Sequence, residues 1–288
     1  MSNKVYQIVT KKIIERLEKG QVAWQKGWLT NKYNYQYKNN YKGINLLLLD
    51  KPGGYLTFNQ IRKMKNCKLK KGSKSEIIIA YTKKSYYKEI EKENGEVEKE
   101  KVEYMKPYYH RVFHESDVEG LKSSLKNNND ISPIESAENI IENFIDKPEI
   151  KIKLSDSAFY QPTNDKVVTP KKEQFADINE YYSTLFHELA HSTGHKSRLN
   201  RFSNSADQFI FASESYSKEE LVAEISSAML CNIAGIETEK TLENSAGYIK
   251  GWLEKLRNDN KLIVQASNKA QKVIDHITAE KKAEQKTA

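Results

Sequence analysis

The stretch Thr184–Arg201, TLFHELAHSTGHKSRLNR, sets the reading of this 288-residue chain: it places three of the six histidines and a glutamate within nine residues. HELAH has the spacing H-E-x-x-H. His187 and His191 stand one helical turn apart and point the same way, so their imidazoles can share a cation, with Glu188 close enough to act as a general base. At about 100° per residue, Tyr182, Leu185, Phe186, Leu189 and Ala190 gather on the opposite side. The expected helix therefore has one face packed in a core and one open to a cleft. Histidines serving only a core would lie among the apolar residues, and these do not.

Gly194 suits the end of that helix, and HELAHSTG begins like the H-E-x-x-H-x-x-G-x-x-H pattern of metzincins. The last ligand position of that pattern holds Ser197, however, and His195 comes two residues early, so a third ligand must come from elsewhere. SKEELVAEISSAMLC (Ser217–Cys231) is a second apolar-periodic helix with Glu220 and Glu224 one turn apart. Gluzincin sites take a carboxylate from such a helix, with a nearby acid orienting a ligand histidine. Glu220 is accordingly the expected ligand and Glu224 the orienting residue or substitute ligand. Ser217-x-x-Glu220 also spells a capping box, which would turn the carboxylate to the backbone instead.

One zinc per chain on His187, His191 and Glu220 would leave a position for water, whose pKa it lowers towards about 7; Glu188 would accept the proton during peptide hydrolysis. Tyr216 and His195 are candidate donors to the oxyanion. AFYQPTNDKVVTP (Ala158–Pro170) reads as a hairpin whose edge strand can pair with an extended substrate. The protein substrate itself is not named by any of these residues.

Charge and tyrosine separate the chain into halves. Residues 1–111 hold 25 Lys+Arg against 11 Asp+Glu and 12 of the 17 tyrosines; the remainder holds 22 against 28. After an amphipathic helix (Val5, Ile8, Val9, Ile13, Leu17) stopped at Gly20, Trp24, Trp28, Tyr33, Tyr35, Tyr37 and Tyr41 interleave with Lys32, Lys38 and Lys42. A basic run follows with Arg62, Lys63, Lys65, Lys68, Lys70, Lys71 and Lys74. Rings that stack on unpaired bases and lysines that neutralise phosphates predict a surface for single-stranded DNA. The same alternation also fits a half-exposed strand. INLLLL (Ile44–Leu49) has the length of a buried strand or a helical turn. EIIIAYTKKSYY (Glu76–Tyr87) and VEYMKPYYHRVFH (Val102–His114) read as strands joined by a charged segment with Asn94-Gly95 at its turn, a solvated ribbon with no chemistry.

SSLKNNNDISPIES marks a linker at 123–136, between a basic aromatic domain at 1–122 and a metal domain at 137–288. Both are expected to be α+β. No apolar run approaches the roughly 20 residues that span a bilayer, and the first residues lack a secretory h-region. A soluble, cytoplasmic protein without a membrane partner is expected. Cys67 and Cys231 have no metal or disulfide spacing and read as small buried hydrophobes.

Taken in order, YKGINLLLL, YLTFNQIRKMKNCKLKKGSKSEIIIAY, YYHRVFHESDVEGL, FYQPTNDKVVTP, YYSTLFHELAHSTGHKSRLNR, EELVAEISSAMLC and YIKGWLEKLRND resemble the ArdC antirestriction proteins of conjugative plasmids over nearly the whole chain. The resemblance implies an N-terminal single-stranded-DNA-binding domain, shared with plasmid primases of the TraC type, and a C-terminal zincin-like metallopeptidase domain. It also implies that the setting is protection of incoming DNA of a mobile element. A coat protein for single strands with a catalytically silent metal domain is the alternative.

Overall fold

The computed structural model describes residues 2–24, 32–91, 97–121, 132–154, 157–175, 177–202, 214–236 and 246–279. Trp28, the Asn94-Gly95 turn and the expected linker up to residue 131 lie outside them. The end of that linker is helical: Ser132 caps α4 (Pro133–Asn143), its hydroxyl accepting from the Glu135 N–H at 3.2 Å, with Pro133 at the first helical position.

In the N-terminal half α1 (Ser2–Leu17) buries Val5, Val9, Ile13 and Leu17 at four-residue spacing, and Gly20 at φ 72° turns the chain away. A four-stranded sheet runs in the order β1 (Lys32–Asn34), β2 (Gly53–Thr57), β5 (Val97–His114), β4 (Glu76–Glu91). β1 and β2 are parallel, the other pairs antiparallel. β3 (Lys68–Leu69) and β6 (Val118–Glu119) form a small second sheet, and α3 (Phe58–Lys63) starts from a Thr57/Gln60 capping box.

INLLLL is a short helix, α2 (Ile44–Leu48), buried through Ile44, Leu47 and Leu48. Its end is built from cations. The carbonyls of Leu46 and Leu49 accept from Lys32 Nζ, that of Leu47 from Arg16, and that of Leu48 from both Lys12 Nζ (2.7 Å) and Arg16. A helix end leaves such carbonyls without intrahelical partners.

In the C-terminal half β7 (Glu149–Lys153) lies parallel to β9 (Lys166–Pro170), and β8 (Phe159–Gln161) lies antiparallel to β9 at the sheet edge. The expected hairpin is present. α5 (Ile178–Ser192) packs against this sheet and against α6 (Glu214–Ala234); α7 (Ala246–Asn258) and α8 (Leu262–Ile277) complete the layer. The two domains meet in packed apolar contact, because one buried cluster runs from Val9, Ile13 and Trp24 through Leu185 and Leu221 to Trp252 and Val273. Among the described residues no helix is long and apolar enough to cross a membrane. Cys231 is fully buried and Cys67 half-buried.

Candidate metal centre

Asp177 caps α5 by accepting from the Asn179 N–H at 3.0 Å. The helix then buries Tyr182, Leu185, Phe186, Leu189 and Ala190, which turns His187 and His191 towards α6. Their Nε2 atoms are 3.1 Å apart. Glu220 meets both, Oε2 at 3.4 Å from His187 Nε2 and Oε1 at 3.4 Å from His191 Nε2. A tetrahedral cation with bonds of 2.0–2.1 Å spaces its donors about 3.3–3.4 Å apart. Two imidazole nitrogens and a carboxylate at this spacing therefore fit a divalent metal. Ser217 lies inside α6 rather than at its cap, so Glu220 is not drawn to the backbone at the helix start.

Glu224 is not the residue behind a histidine: its Oε2 accepts from the indole N–H of Trp24 at 3.1 Å, away from the metal ligands. Glu219 takes that place. Its Oε1 lies 3.6 Å from His191 Nδ1, the nitrogen opposite the ligand atom, and the same carboxylate accepts from Arg201 Nη2 (2.6 Å) and Nε (3.2 Å). Arg201 also donates to Thr193 Oγ1 and the Ala190 carbonyl, tying the end of α5 to α6. Burial would raise the Glu219 carboxyl, but His191 and Arg201 hold it below the usual carboxylate range. Burial likewise opposes a charged His191, yet Glu219 and Glu220 lift its pKa to about 10. The sequence signals for this arrangement are the adjacent acids Glu219-Glu220 and the arginine at the end of HSTGHKSRLNR.

A cleft of about 290 Å³ opens over the cluster, lined on one side by His187, Glu188, His191, Glu219 and Glu220 and on the other by Phe159, Tyr160, Pro162 and Phe202. Glu188 is 8% exposed and is not one of the converging ligands. β8 supplies the opposite wall, and its outer edge has no strand partner among the described residues. Arg198 fixes that wall: it is paired with Asp165, which accepts from Tyr160 at 2.8 Å, and it donates to the Ser192 carbonyl at the end of α5. Gly194 lets Phe202 close the cleft, since a Cβ there would stand 2.3 Å from the ring. His195 does not face the cleft; its Nδ1 lies 2.8 Å from Ser197 Oγ and 4.0 Å from Asp165. The Tyr216 side chain lies outside the described residues.

The expected DNA-binding residues separate into used and free groups. Trp24 is fully buried, edge-to-face with Trp252, and is a core residue. Tyr41 packs on Leu49, Tyr55, Ile78 and Val112, while Lys42 pairs with Asp275 of α8 at 3.1 Å. Lys38 covers the rings of Tyr35 (3.9 Å) and Tyr33 (5.3 Å). Lys68 pairs with Glu119, and Lys70 donates to the Ser116 carbonyl. Tyr37, Arg62, Lys71 and Lys74 remain exposed.

Residues 3–113 match the family described as N-terminal domain of anti-restriction factor ArdC, and residues 136–269 match the zincin-like metallopeptidase family. Two DNA primases TraC of Escherichia coli are 30% and 31% identical over 95% and 94% of this chain. The chain spans only 20% and 27% of their lengths. Uncharacterized protein y4eC of Sinorhizobium fredii is 28% identical, with 96% of this chain and 92% of that protein covered. The crystal structure of the antirestriction ArdC protein from plasmid R388 in its metal-free form has a TM-score of 0.71 and 31% identity, covering 94% of this chain and 96% of that one. Its Mn(II)-bound form matches at the same TM-score with 30% identity. With both domains in the same order, a common fold and this coverage, the chain belongs to the ArdC antirestriction family.

Proposed function

We propose that this protein is a zinc-dependent peptidase joined to a single-stranded-DNA-binding half, acting in the cytoplasm on a protein engaged with incoming DNA. The observation that carries the peptidase reading is the placement of Glu188 in the same cleft as His187, His191 and Glu220, a cleft also lined by Phe159 and Tyr160 of β8, the edge strand of its sheet among the described residues. A divalent cation held by those three residues supplies an acidified water and a polarised carbonyl. β8 pairs with an extended substrate segment and holds its backbone across the cleft. The Glu188 carboxylate accepts the proton of the attacking water and returns it to the leaving amine. A metal held only for structure has no use for such a base.

The DNA-binding reading is supported by the basic, tyrosine-rich N-terminal half, its match to the ArdC N-terminal domain, and the relation to primases. Phosphate neutralisation and stacking make binding salt-dependent and tolerant of sequence.

The test is transfer of unmodified DNA into a restricting cell producing wild type, Glu188→Gln or Lys71→Glu/Lys74→Glu. Loss of the base costs a factor of about 10² or more in a step that needs it, so Glu188→Gln is expected to abolish protection while leaving DNA binding intact. Full protection by Glu188→Gln assigns protection to coating and removes the peptidase from it.

A further inference from the structure

The hairpin of β4 and β5 pairs without interruption from Glu76↔Val112 to Glu91↔Val97. Sixteen residues at about 3.4 Å each give a ribbon roughly 50 Å long. Only its root is packed: every residue from Lys83 to Ile90 is exposed, as are Val97–Lys101 and Glu103–Met105 on the partner strand. Because each cross-strand pair joins residues of the same parity, even-numbered residues of both strands share one face and odd-numbered residues the other.

The two faces differ in chemistry. On the odd face Glu103 pairs with both Lys83 and Lys101, and Lys99 with Glu89. The even face carries Tyr104, Lys106 and Tyr108 in succession along β5, opposite Lys84 and beside Tyr86. Between Ile78 and Tyr86 and between Val102 and His110 it contains no carboxylate. Neither Lys84 nor Lys106 has an ion-pair partner among the described residues. Tyr86, Tyr104 and Tyr108 are 52%, 45% and 38% exposed, which for large rings leaves a stacking surface open. Tyr86 and Tyr104 stand edge-to-face at 6.0 Å, and Tyr108 meets His110 in the same way at 5.0 Å. Ring, ammonium and ring thus recur at intervals of about 7 Å along β5.

We infer that the even face of this ribbon is a docking surface for single-stranded nucleic acid, with Tyr86, Tyr104 and Tyr108 stacking on bases and Lys84 and Lys106 on phosphates. The inference rests on the proposed DNA-binding reading and moves its principal contacts from the Tyr33–Tyr41 loop to the ribbon. In that loop, lysines and tyrosines largely satisfy one another. An unpaired strand exposes base faces to stacking, whereas a duplex buries them. Uncompensated lysines beside open rings fit a polyanion with aromatic bases, and the ion-paired odd face does not.

The test uses the full chain with a labelled oligothymidine and, separately, its duplex with oligoadenine, at several salt concentrations. Tyr86→Ala/Tyr104→Ala is expected to weaken single-strand binding by about 10- to 100-fold. Lys84→Glu/Lys106→Glu is expected to lower the salt slope by about 0.7 for each phosphate no longer neutralised. Tyr87→Ala/Met105→Ala, on the odd face of the same ribbon, should bind as wild type and thereby exclude a general loss of the hairpin. Ultraviolet crosslinking of the unmodified protein should place bases on the peptide containing Tyr104 and Tyr108. If the even-face variants bind as wild type while Lys71→Glu/Lys74→Glu loses affinity, the ribbon assignment fails and the DNA-binding reading stands. No binding by wild type overturns both, and equal affinity for the duplex overturns stacking on this face.

Discussion

The indole N–H of Trp24, from the basic half of the chain, donates to Oε2 of Glu224 at 3.1 Å, one turn along α6 from Glu220. Trp24 has no solvent exposure, so this bond to a carboxylate forms within the shared core. Trp24→Phe keeps most of the apolar contact and removes the donor. Loss of a hydrogen bond to a charged group is worth about 1.5–3 kcal/mol, and urea unfolding should register a destabilisation of that order. Metal content should be unchanged, because Glu224 is not among the converging ligands.

The HELAH helix is legible in the sequence because its information is local: ligand spacing and apolar spacing both follow from the helical repeat. The hairpins are legible for the same reason, since the β-branched and aromatic runs that form each pair of strands lie close together in the sequence. Trp24 reads as a stacking ring and is a core residue, because exposure of an aromatic side chain depends on what packs over it, here Trp252, more than two hundred residues away. Glu224 reads as the orienting acid where Glu219 serves, because choosing among acids on one helix requires knowing which face meets α5. The ribbon reads as inert for a related reason: its mixed composition conceals two faces that become distinct only once the register is fixed.

Gly194→Ala should distort the cleft. A methyl group would stand 2.3 Å from the Phe202 ring, which must then leave its place beside Tyr160. Overpacking of this kind costs about 1–3 kcal/mol. Thermal unfolding should show the loss, and peptide hydrolysis should fall as the aromatic wall opens. Activity and stability equal to wild type would mean that Phe202 does not form that wall.

Lys32 should add to stability as pH rises above neutrality, while His191, lifted to about 10, works the other way over the same range because its folded form keeps a proton that the unfolded chain has lost. Burial, with Arg16 nearby, pushes the Lys32 ammonium down to about 7 from its ordinary 10.5, and Lys12 is shifted in the same direction. Between these values the unfolded chain holds a proton that folded Lys32 has released. With respect to Lys32 the unfolding free energy therefore climbs by at most about 1.4 kcal/mol per pH unit above pH 7 and is flat below it. Burial raises Tyr41 to about 12, so the unfolded tyrosine ionises first and Tyr41 withdraws stability as pH rises above about 10. Urea titrations at successive pH values should give Lys32→Met a slope less positive than that of wild type by up to about 1.4 kcal/mol per pH unit between pH 7 and 10. An unchanged slope in that variant would mean that Lys32 makes no such contribution.

The carboxylate behind His191 separates two ways of losing the metal. Glu220→Ala removes one of three converging ligands and should abolish stoichiometric binding, whereas Glu224→Ala should retain it. Arg201→Ala leaves all three ligands but removes the guanidinium that holds Glu219 against His191 Nδ1. Loss of a residue that orients a ligand histidine costs about 10- to 100-fold in metal affinity. Arg201→Ala should therefore still bind one metal per chain at saturation but yield it to a chelator at correspondingly lower chelator concentration. Arg201→Lys should recover little, because an ammonium cannot reproduce the two-pronged contact to Glu219. Glu219→Gln should resemble Arg201→Ala if both act through the imidazole. Full affinity in Arg201→Ala would mean that Glu219 holds its position without the arginine, and full affinity in both would exclude this carboxylate from orienting His191.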